Sequence, residues 1–334
     1  MWIIAVLPAI VALWCIALLF FCFRWWKTGL LFLLVGCAGN WYTQSIPLNP
    51  FTWRQVNVSE KKEGNIRILE YNICHKDEYL QPNLANYQAL ADFLLSKDAD
   101  IMILPEHFGP YAPQLDSILH THYPHSFAST LQYGYEEEAV FSRYPITACK
   151  RYQMDPDKIL ERHPDADSTY VQLVNGGTMI HQVDLEIDQR AVTMVYVHMR
   201  SNNFDRAKEI ADRKRDKLRN ALQYMHSSYA YRAAEAEAVC DSLRDCQNPI
   251  LICGDFNDVS GSYVLSLMQE KLELKDAWWE RGMGPGFTFN DQHLLLRLDH
   301  LLYSSHFNLH GVSLLSSVEF SDHEPLLFDL ELKP

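Results

Sequence analysis

No Cys-x-x-Cys pair, no excess of basic charge and no internal repeat or low-complexity tract occur in this 334-residue sequence. Of its eight cysteines, Cys15, Cys22 and Cys37 lie in an apolar leader. The others, Cys74, Cys149, Cys240, Cys246 and Cys253, are odd in number and irregularly spaced, which fits neither a zinc pattern nor a disulfide framework. Cys240 and Cys246 are close enough in sequence to pair, and buried free thiols are the alternative. The formal net charge of −13 argues against a footprint for long nucleic acid, because such binders carry a basic face. Disorder is excluded as well: 48% of the residues are hydrophobic and only 21% charged, a balance that supports a large core.

Apolar character is concentrated at the start. Met1 to Phe23 contains no charged residue and is long enough to span a bilayer as a helix. Arg24, Trp25, Trp26 and Lys27 follow as a basic and aromatic cluster, and a second apolar run extends from Leu30 to Ala38 and onward to Leu48 as a weaker span. The expectation is a membrane anchor of one or two transmembrane helices over residues 1–48, with the positive tip inside the cell and the rest of the chain on the outer, extracytoplasmic side. Residues 49–64 are expected to be a linker, rich in Pro, Asn, Ser, Lys and Glu from Pro47 to Gly64, and residues 65–334 one catalytic domain.

Within that domain, alternation predicts strands at Ile66–Ile73, Val140–Ser142, Tyr170–Leu173, Met179–Ile187 and Ala191–His198, with antiparallel pairing among them. Ala99–Leu104 and Ile250–Cys253 read as buried strands, and Leu298–Tyr303 and Leu326–Glu331 as short ones. Helices are expected over Leu84–Ser96 and Phe204–Leu243; the mixed charge of the second marks a solvated face. The fold class is therefore α+β, two packed mixed sheets flanked by helices in a four-layer α/β/β/α sandwich.

Six places end a strand-like run in carboxylate, amide or imidazole groups: Asn72, Glu106, His198, Asp255 with Asn257, Asp299 with His300, and Asp322 with His323. Strand ends are where rigid scaffolds present working groups. Hard oxygen donors suit Mg2+ or Mn2+ better than zinc, and that choice favours phosphate chemistry. Each group alone has a plainer reading as a strand cap, a turn former, a structural histidine or a solvated loop.

Seven blocks in one order remove that plainness. Leu69-Glu70-Tyr71-Asn72, Leu104-Pro105-Glu106, Phe141-Ser142-Arg143-Tyr144-Pro145, Val197-His198, Gly254-Asp255-Phe256-Asn257, Arg297-Leu298-Asp299 and Ser321-Asp322-His323-Glu324-Pro325 together resemble the endonuclease/exonuclease/phosphatase superfamily, from Ile66 to Leu330. The resemblance implies a divalent-metal-dependent phosphoesterase. Asn72, Glu106 and Asp322 would hold the Mg2+ or Mn2+ ion, and Asp255 would position or deprotonate the attacking water. Asn257 would orient that water and donate to the phosphate, and His323, held by Asp299, would stabilise the transition state. His198 would supply a second imidazole. The substrate is a phosphoester, whether in nucleic acid, a phospholipid or a small phosphate ester. Glu136, Glu137 and Glu138 would repel a polyanion if they line the mouth, and otherwise form a solvated loop. A lipid-headgroup hydrolase stands nearly level with a nuclease, and a catalytically silent membrane-tethered binding domain is the reading from another class.

Overall fold

The computed structural model describes all residues except 1–5, 24, 52, 74–83, 108–111, 131–135, 153, 165, 167, 169–170, 172–178, 203–213, 292–293 and 316–319. Two six-stranded mixed sheets pack face to face. The first has the order β13-β14-β1-β2-β4-β3, from β1 (Ile66–Glu70), β2 (Ile101–Leu104), β3 (His125–Thr130), β4 (Glu136–Ser142), β13 (Phe307–Leu314) and β14 (Leu326–Leu332). The second has the order β5-β6-β7-β8-β12-β9, from β5 (Ile146–Arg151), β6 (Met179–Ile187), β7 (Arg190–His198), β8 (Ile250–Asp255), β9 (Lys275–Asp276) and β12 (Asp299–Tyr303), while β10 (Phe289–Asp291) and β11 (Leu294–Leu296) pair as a separate two-stranded ribbon. Each sheet has one parallel pair at its centre, β1 with β2 and β7 with β8. The two-sheet sandwich expected from the sequence is present, and so are its flanking helices.

Why the central strands read as continuous apolar runs follows from the layers. Ile66, Ile68, Ile101, Ile103 and Val140 of the first sheet meet Met194, Tyr196, Leu251, Cys253 and Leu301 of the second. The opposite faces of the same strands are covered by helices: Leu69, Met102 and Leu104 by Leu90, Leu94, Leu115 and Leu119, and Val195, Val197 and Ile252 by Ala236, Val239 and Met268. Strands buried on both faces lose polar alternation.

Strand parity then decides what lies at the end of the inter-sheet layer. Side chains two residues apart share a face, so Ile66 and Ile68 are continued by Glu70 and Asn72, Met194 and Tyr196 by His198, and Leu251 and Cys253 by Asp255. Asp299 shares its face with Leu301 and Tyr303. One end of an apolar sandwich is thus lined with polar groups from both sheets.

Gly254 makes the β7–β8 contact possible. It pairs with Val197, holds φ +137°, and a Cβ there would lie 2.0 Å from the Val197 carbonyl oxygen. Both the left-handed backbone and the backbone clash oppose any side chain. Gly254→Ala is expected to cost about 3 kcal/mol or more; a urea midpoint equal to that of the wild type would show that the strands can part at no cost.

Three expectations are corrected. No described helix is long and apolar enough to cross a membrane, so the transmembrane spans, the tethering through them and the membrane-anchored, extracytoplasmic placement built on them are withdrawn. Helix α1 is described over Val6–Cys22, 17 residues, and α2 over Trp26–Thr43, 18 residues. Helix α2 also carries Lys27, Gly29, Gly36 and Asn40. Its glycines let α1 approach: a Cβ on Gly36 would meet the Trp14 ring at 2.6 Å. The Asn40 side chain is buried and caps the chain reversal, exchanging hydrogen bonds with the backbone of Ile46.

Second, Val140–Ser142 belongs to the first sheet, pairing with β2 and β3, whereas Met179–Ile187 and Ala191–His198 form a hairpin in the second. Third, of the expected strand Tyr170–Leu173 the described residue Val171 is helical, and the rest lies outside the described residues. The start of the predicted helix Phe204–Leu243 and Cys74 also lie outside them, as do the side chains of Glu136, Glu137 and Glu138. Cys240 and Cys246 are both free thiols.

The segment after α2 runs along the sandwich. Gln44 caps α2 in the left-handed region and its carbonyl accepts from Arg297. Val312 N–H donates to the Arg54 carbonyl, and Val56, buried, donates to Ser313 Oγ.

Candidate active site

The polar groups at the sandwich end form one connected set. Asn72 Nδ2 donates to Glu106 Oε1 at 3.3 Å and to Asp255 Oδ2 at 3.1 Å, joining the two sheets. His198 Nε2 lies 3.7 Å from Glu106 Oε1. His323 Nδ1 is 2.8 Å from Asp299 Oδ2, and its Nε2 is 3.9 Å from Asp255 Oδ2. Asp255, Asp299 and His323 are all buried, and their ligating atoms lie within 4.8 Å of one another. Asp322 is buried beside His323; its carboxylate is approached by the Ser321 hydroxyl at 3.4 Å, which donates to the Asn72 carbonyl at 2.7 Å. Of the nine residues at the strand ends singled out from the sequence, eight are brought to one place, and His300 is not.

Two of them are held in left-handed backbone, Glu106 at φ +57° and Asn257 at φ +49°. For asparagine this is common, but for glutamate it costs energy that the surroundings must impose. Pairing of Ile73 N–H with the Pro105 carbonyl fixes one side of Glu106, and a 2.7 Å contact between His107 Nε2 and Asp116 Oδ1 fixes the other. The turn at Asn257 is fixed by Asp255: its Oδ1 accepts from Asn257 N–H at 2.7 Å, while Asn257 Nδ2 donates to Asp255 Oδ2 and to the Met199 carbonyl. His300 points to the opposite face of β12, toward Asp276 and the Asp258 carbonyl, as alternation from Asp299 requires.

Burial and crowded charge set the protonation states. Burial first, then the Asp299 and Asp255 carboxyls, push Glu70 well above the usual carboxylate range. Burial, with Asp299 next, pushes Asp255 up to about 8, against the opposing pull of His323. For His323 burial favours the neutral ring, but the charge and hydrogen bond of Asp299, then Asp255 and Asp322, win and raise it to about 10. Burial would raise Asp299 too; the His323 charge and hydrogen bond, then Thr288 and Glu70, hold it below its ordinary value. Burial lowers His198 more than the facing Glu106 raises it, so it is the neutral imidazole of the two.

Sequence reasoning gives Glu70 no role of its own within the block Leu69-Glu70-Tyr71-Asn72, and takes Thr288 only as part of Phe287-Thr288-Phe289, which resembles a substrate-side segment or else reads as a packed aromatic strand. Glu70 is fully buried, and neither oxygen meets an N–H or O–H donor among the described residues. Burial, and then the charges of Asp299 and Asp255, favour the protonated form of Glu70. Strand parity was the available signal, since Glu70 shares a face with Asn72. Thr288, also fully buried, accepts from two backbone N–H groups at the head of β12.

Five carboxyls, Glu70, Glu106, Asp255, Asp299 and Asp322, stand around two imidazoles; all but the half-buried Glu106 are buried, with little water to offset their charge. That donor set fits a hard divalent cation. The set of carboxylate and imidazole groups drawn tightest together is Asp255, Asp299 and His323, whereas the sequence reading assigned the ion to Asn72, Glu106 and Asp322. In the structure Asp299 and His323 are occupied with each other, while the Asn72–Glu106 pair sits at the end of the first sheet.

The chain belongs to the Endonuclease/Exonuclease/phosphatase family, whose sequence profile matches residues 69–323. Members of that family are typically hydrolases of phosphoester bonds and generally use divalent metals. Similar solved structures include the human Nocturnin catalytic domain with bound sulfate, at TM-score 0.56 and 16% identity over 82% of this chain and 97% of that one. A truncated TDP2 of Caenorhabditis elegans matches at TM-score 0.54 and 16% identity, covering 81% and 98%. Sphingomyelinase C of Streptomyces griseocarneus matches at 0.51 and 15%, covering 79% and 99%. At such identities the likeness is one of fold. No curated protein matches the chain by sequence.

Proposed function

We propose that the chain hydrolyses a phosphoester with a divalent cation, Mg2+ or Mn2+, and that Asp255 is its general base. The observation that supports this most is the buried line Asp299–His323–Asp255, which abuts the Asn72–Glu106 pair. Glu106 and Asn72, with Asp322 near, are the groups that would hold the cation; when bound it supplies charge that offsets a non-bridging phosphate oxygen.

Asp255 holds a proton-accepting oxygen at the centre of the site, and a base whose affinity lies near neutrality combines a usable ionised fraction with a strong pull on a water proton. Asn257 keeps that carboxylate in place through its N–H and Nδ2. His323, an imidazolium kept charged by Asp299, presents Nε2 toward the same centre, where it stabilises negative charge on the phosphate oxygens. Neutral His198, beside Glu106, donates a hydrogen bond to the phosphate. The chain's net charge of −13 favours a compact phosphodiester over long nucleic acid.

The deciding assay incubates the full chain with Mg2+ and then Mn2+ against a bis-aryl phosphodiester, sphingomyelin, phosphoinositides and plasmid DNA. Turnover of at least the bis-aryl diester is expected, lost in EDTA and regained on adding either ion. No cleavage of any of the four under either ion would end the hydrolase reading, and cleavage of plasmid DNA alone would overturn the preference for a compact substrate.

A further inference from the structure

We propose that Thr288 is a positioning residue that splints the strand presenting Asp299 to the turn presenting His323, and thereby sets the geometry of that pair; this rests on the hydrolase reading above. Asp299 opens β12, and His323 lies in a turn more than twenty residues later. Nothing in β12 itself fixes where the imidazole falls relative to the carboxylate.

The short segment 288–290 makes that link from both sides. Thr288 Oγ1 accepts from Leu298 N–H at 3.0 Å and from Asp299 N–H at 3.2 Å, satisfying the two amides that precede and begin the strand. Thr288 N–H donates to the Leu296 carbonyl, and the Thr288 carbonyl accepts from Glu324 N–H, one residue beyond His323. Its neighbours continue the seam: Phe289 forms a β-bridge with His323 and sets its ring edge-on to the imidazole at 5.1 Å, and Asn290 N–H donates to the Asp322 carbonyl at 2.9 Å.

The hydroxyl is the one side-chain atom in this seam that reaches the Asp299 backbone. A fully buried hydroxyl spent on two amides has no solvent alternative. Valine in its place keeps the shape and the β-branch but frees both amides, so Asp299 loses its fixed starting point while the backbone link to Glu324 remains. Because Thr288 does not reach the bond being broken, its loss acts on the turnover step through the dyad rather than on substrate capture.

Steady-state kinetics of the full chain on the bis-aryl diester with Mg2+ tests this. Thr288→Val is expected to lower kcat by about tenfold to a hundredfold, with KM changed by less than about threefold, the signature of a misplaced group acting in the transition state. Thr288→Ser, which keeps the hydroxyl, should restore kcat to within about threefold of the wild type. In an Asp299→Asn background Thr288→Val should add less than about a twofold loss, because both changes act on one pair. The low-field proton signal of His323 Nδ1–H should move in Thr288→Val and stay in Thr288→Ser. A wild-type kcat in Thr288→Val, equal losses in the valine and serine variants, or full additivity with Asp299→Asn would each overturn the proposal. If the wild type turns over none of the phosphoesters, the hydrolase reading fails by itself; the proton signal still judges Thr288, and an unmoved signal in the valine variant refutes the splint.

Discussion

Replacing Asp255 with asparagine is expected to lower kcat about a thousandfold or more and, at the same time, to stabilise the fold. The first effect follows from removing the general base, a contribution of about 10²–10⁴ on its own, and from adding an amide that cannot take a water proton. The second follows from crowding. Burial first, and then the neighbouring Asp299 carboxyl, raise the Asp255 carboxyl from the ordinary 3.8 to about 8, so the native site resists ionising it.

The sign is fixed by comparing proton uptake. Between about pH 4 and 8 the unfolded chain has released this proton while the native chain retains it, so the stability this group contributes below 3.8 is lost as pH rises through that window. Asparagine does not titrate. The advantage of Asp255→Asn should therefore grow by about 1.4 kcal/mol per pH unit from pH 4 and level off near pH 8. Thermal melts in chelator across that range check it. A variant that keeps wild-type kcat removes Asp255 from the chemistry, and one less stable than wild type at pH 8 shows that the carboxylate is compensated rather than crowded.

Much of the site was legible because strand ends carry it. Asn72, His198, Asp255 and Asp299 each continue the inward face of a strand whose apolar residues announce its period, and the motif around each fixes the order. Glu70 is hidden for a related reason: a strand over Ile66–Ile73 does not by itself say which face is buried, and a glutamate between apolar neighbours is ordinarily an outward one. Thr288 stands in a segment, Phe287-Thr288-Phe289, whose residues point to a substrate-side element or to aromatic packing, and not to its contacts, since a hydroxyl serving the backbone of residues ten and eleven positions onward has no local pattern.

The N-terminal helices were misread by a different route. Apolar runs report composition, and composition does not say which helix face finds a partner. In the structure Gly29 and Gly36 bring α2 against α1, and Asn40, Thr43 and Gln44 turn the chain back onto the sandwich, where a Cβ on Gly261 would meet the Thr43 carbonyl at 2.7 Å. A glycine at 261 thus records a close approach by a segment that lies more than two hundred positions earlier, a contact no window on the sequence contains.

The largest loss of stability is expected from Arg67→Met. Arg67 has no exposed surface and lies on the outer, helix-side face of β1, opposite the face of Glu70 and Asn72. Its guanidinium grips Asp329 of β14 through Nε to Oδ1 at 2.7 Å and Nη2 to Oδ2 at 2.9 Å. The remaining donors reach the carbonyls of Asn57, Val58 and Lys97. One side chain thereby ties two neighbouring strands, the segment before β1 and the end of the helix after it. Methionine fills the volume but leaves Asp329 buried and unpaired and three carbonyls without their donor, a cost of about 3–5 kcal/mol. If charge imbalance is the cause, Asp329→Leu in the same chain should recover a large part of the loss, since an apolar pair needs no compensation. Folded molecules of either variant should keep kcat within about twofold, because Arg67 faces away from the site. Urea denaturation followed by activity per folded molecule separates these outcomes. An Arg67→Met chain whose denaturation midpoint matches the wild type would mean that water already reaches the pair, and a double variant no better than the single would assign the loss to the three carbonyls.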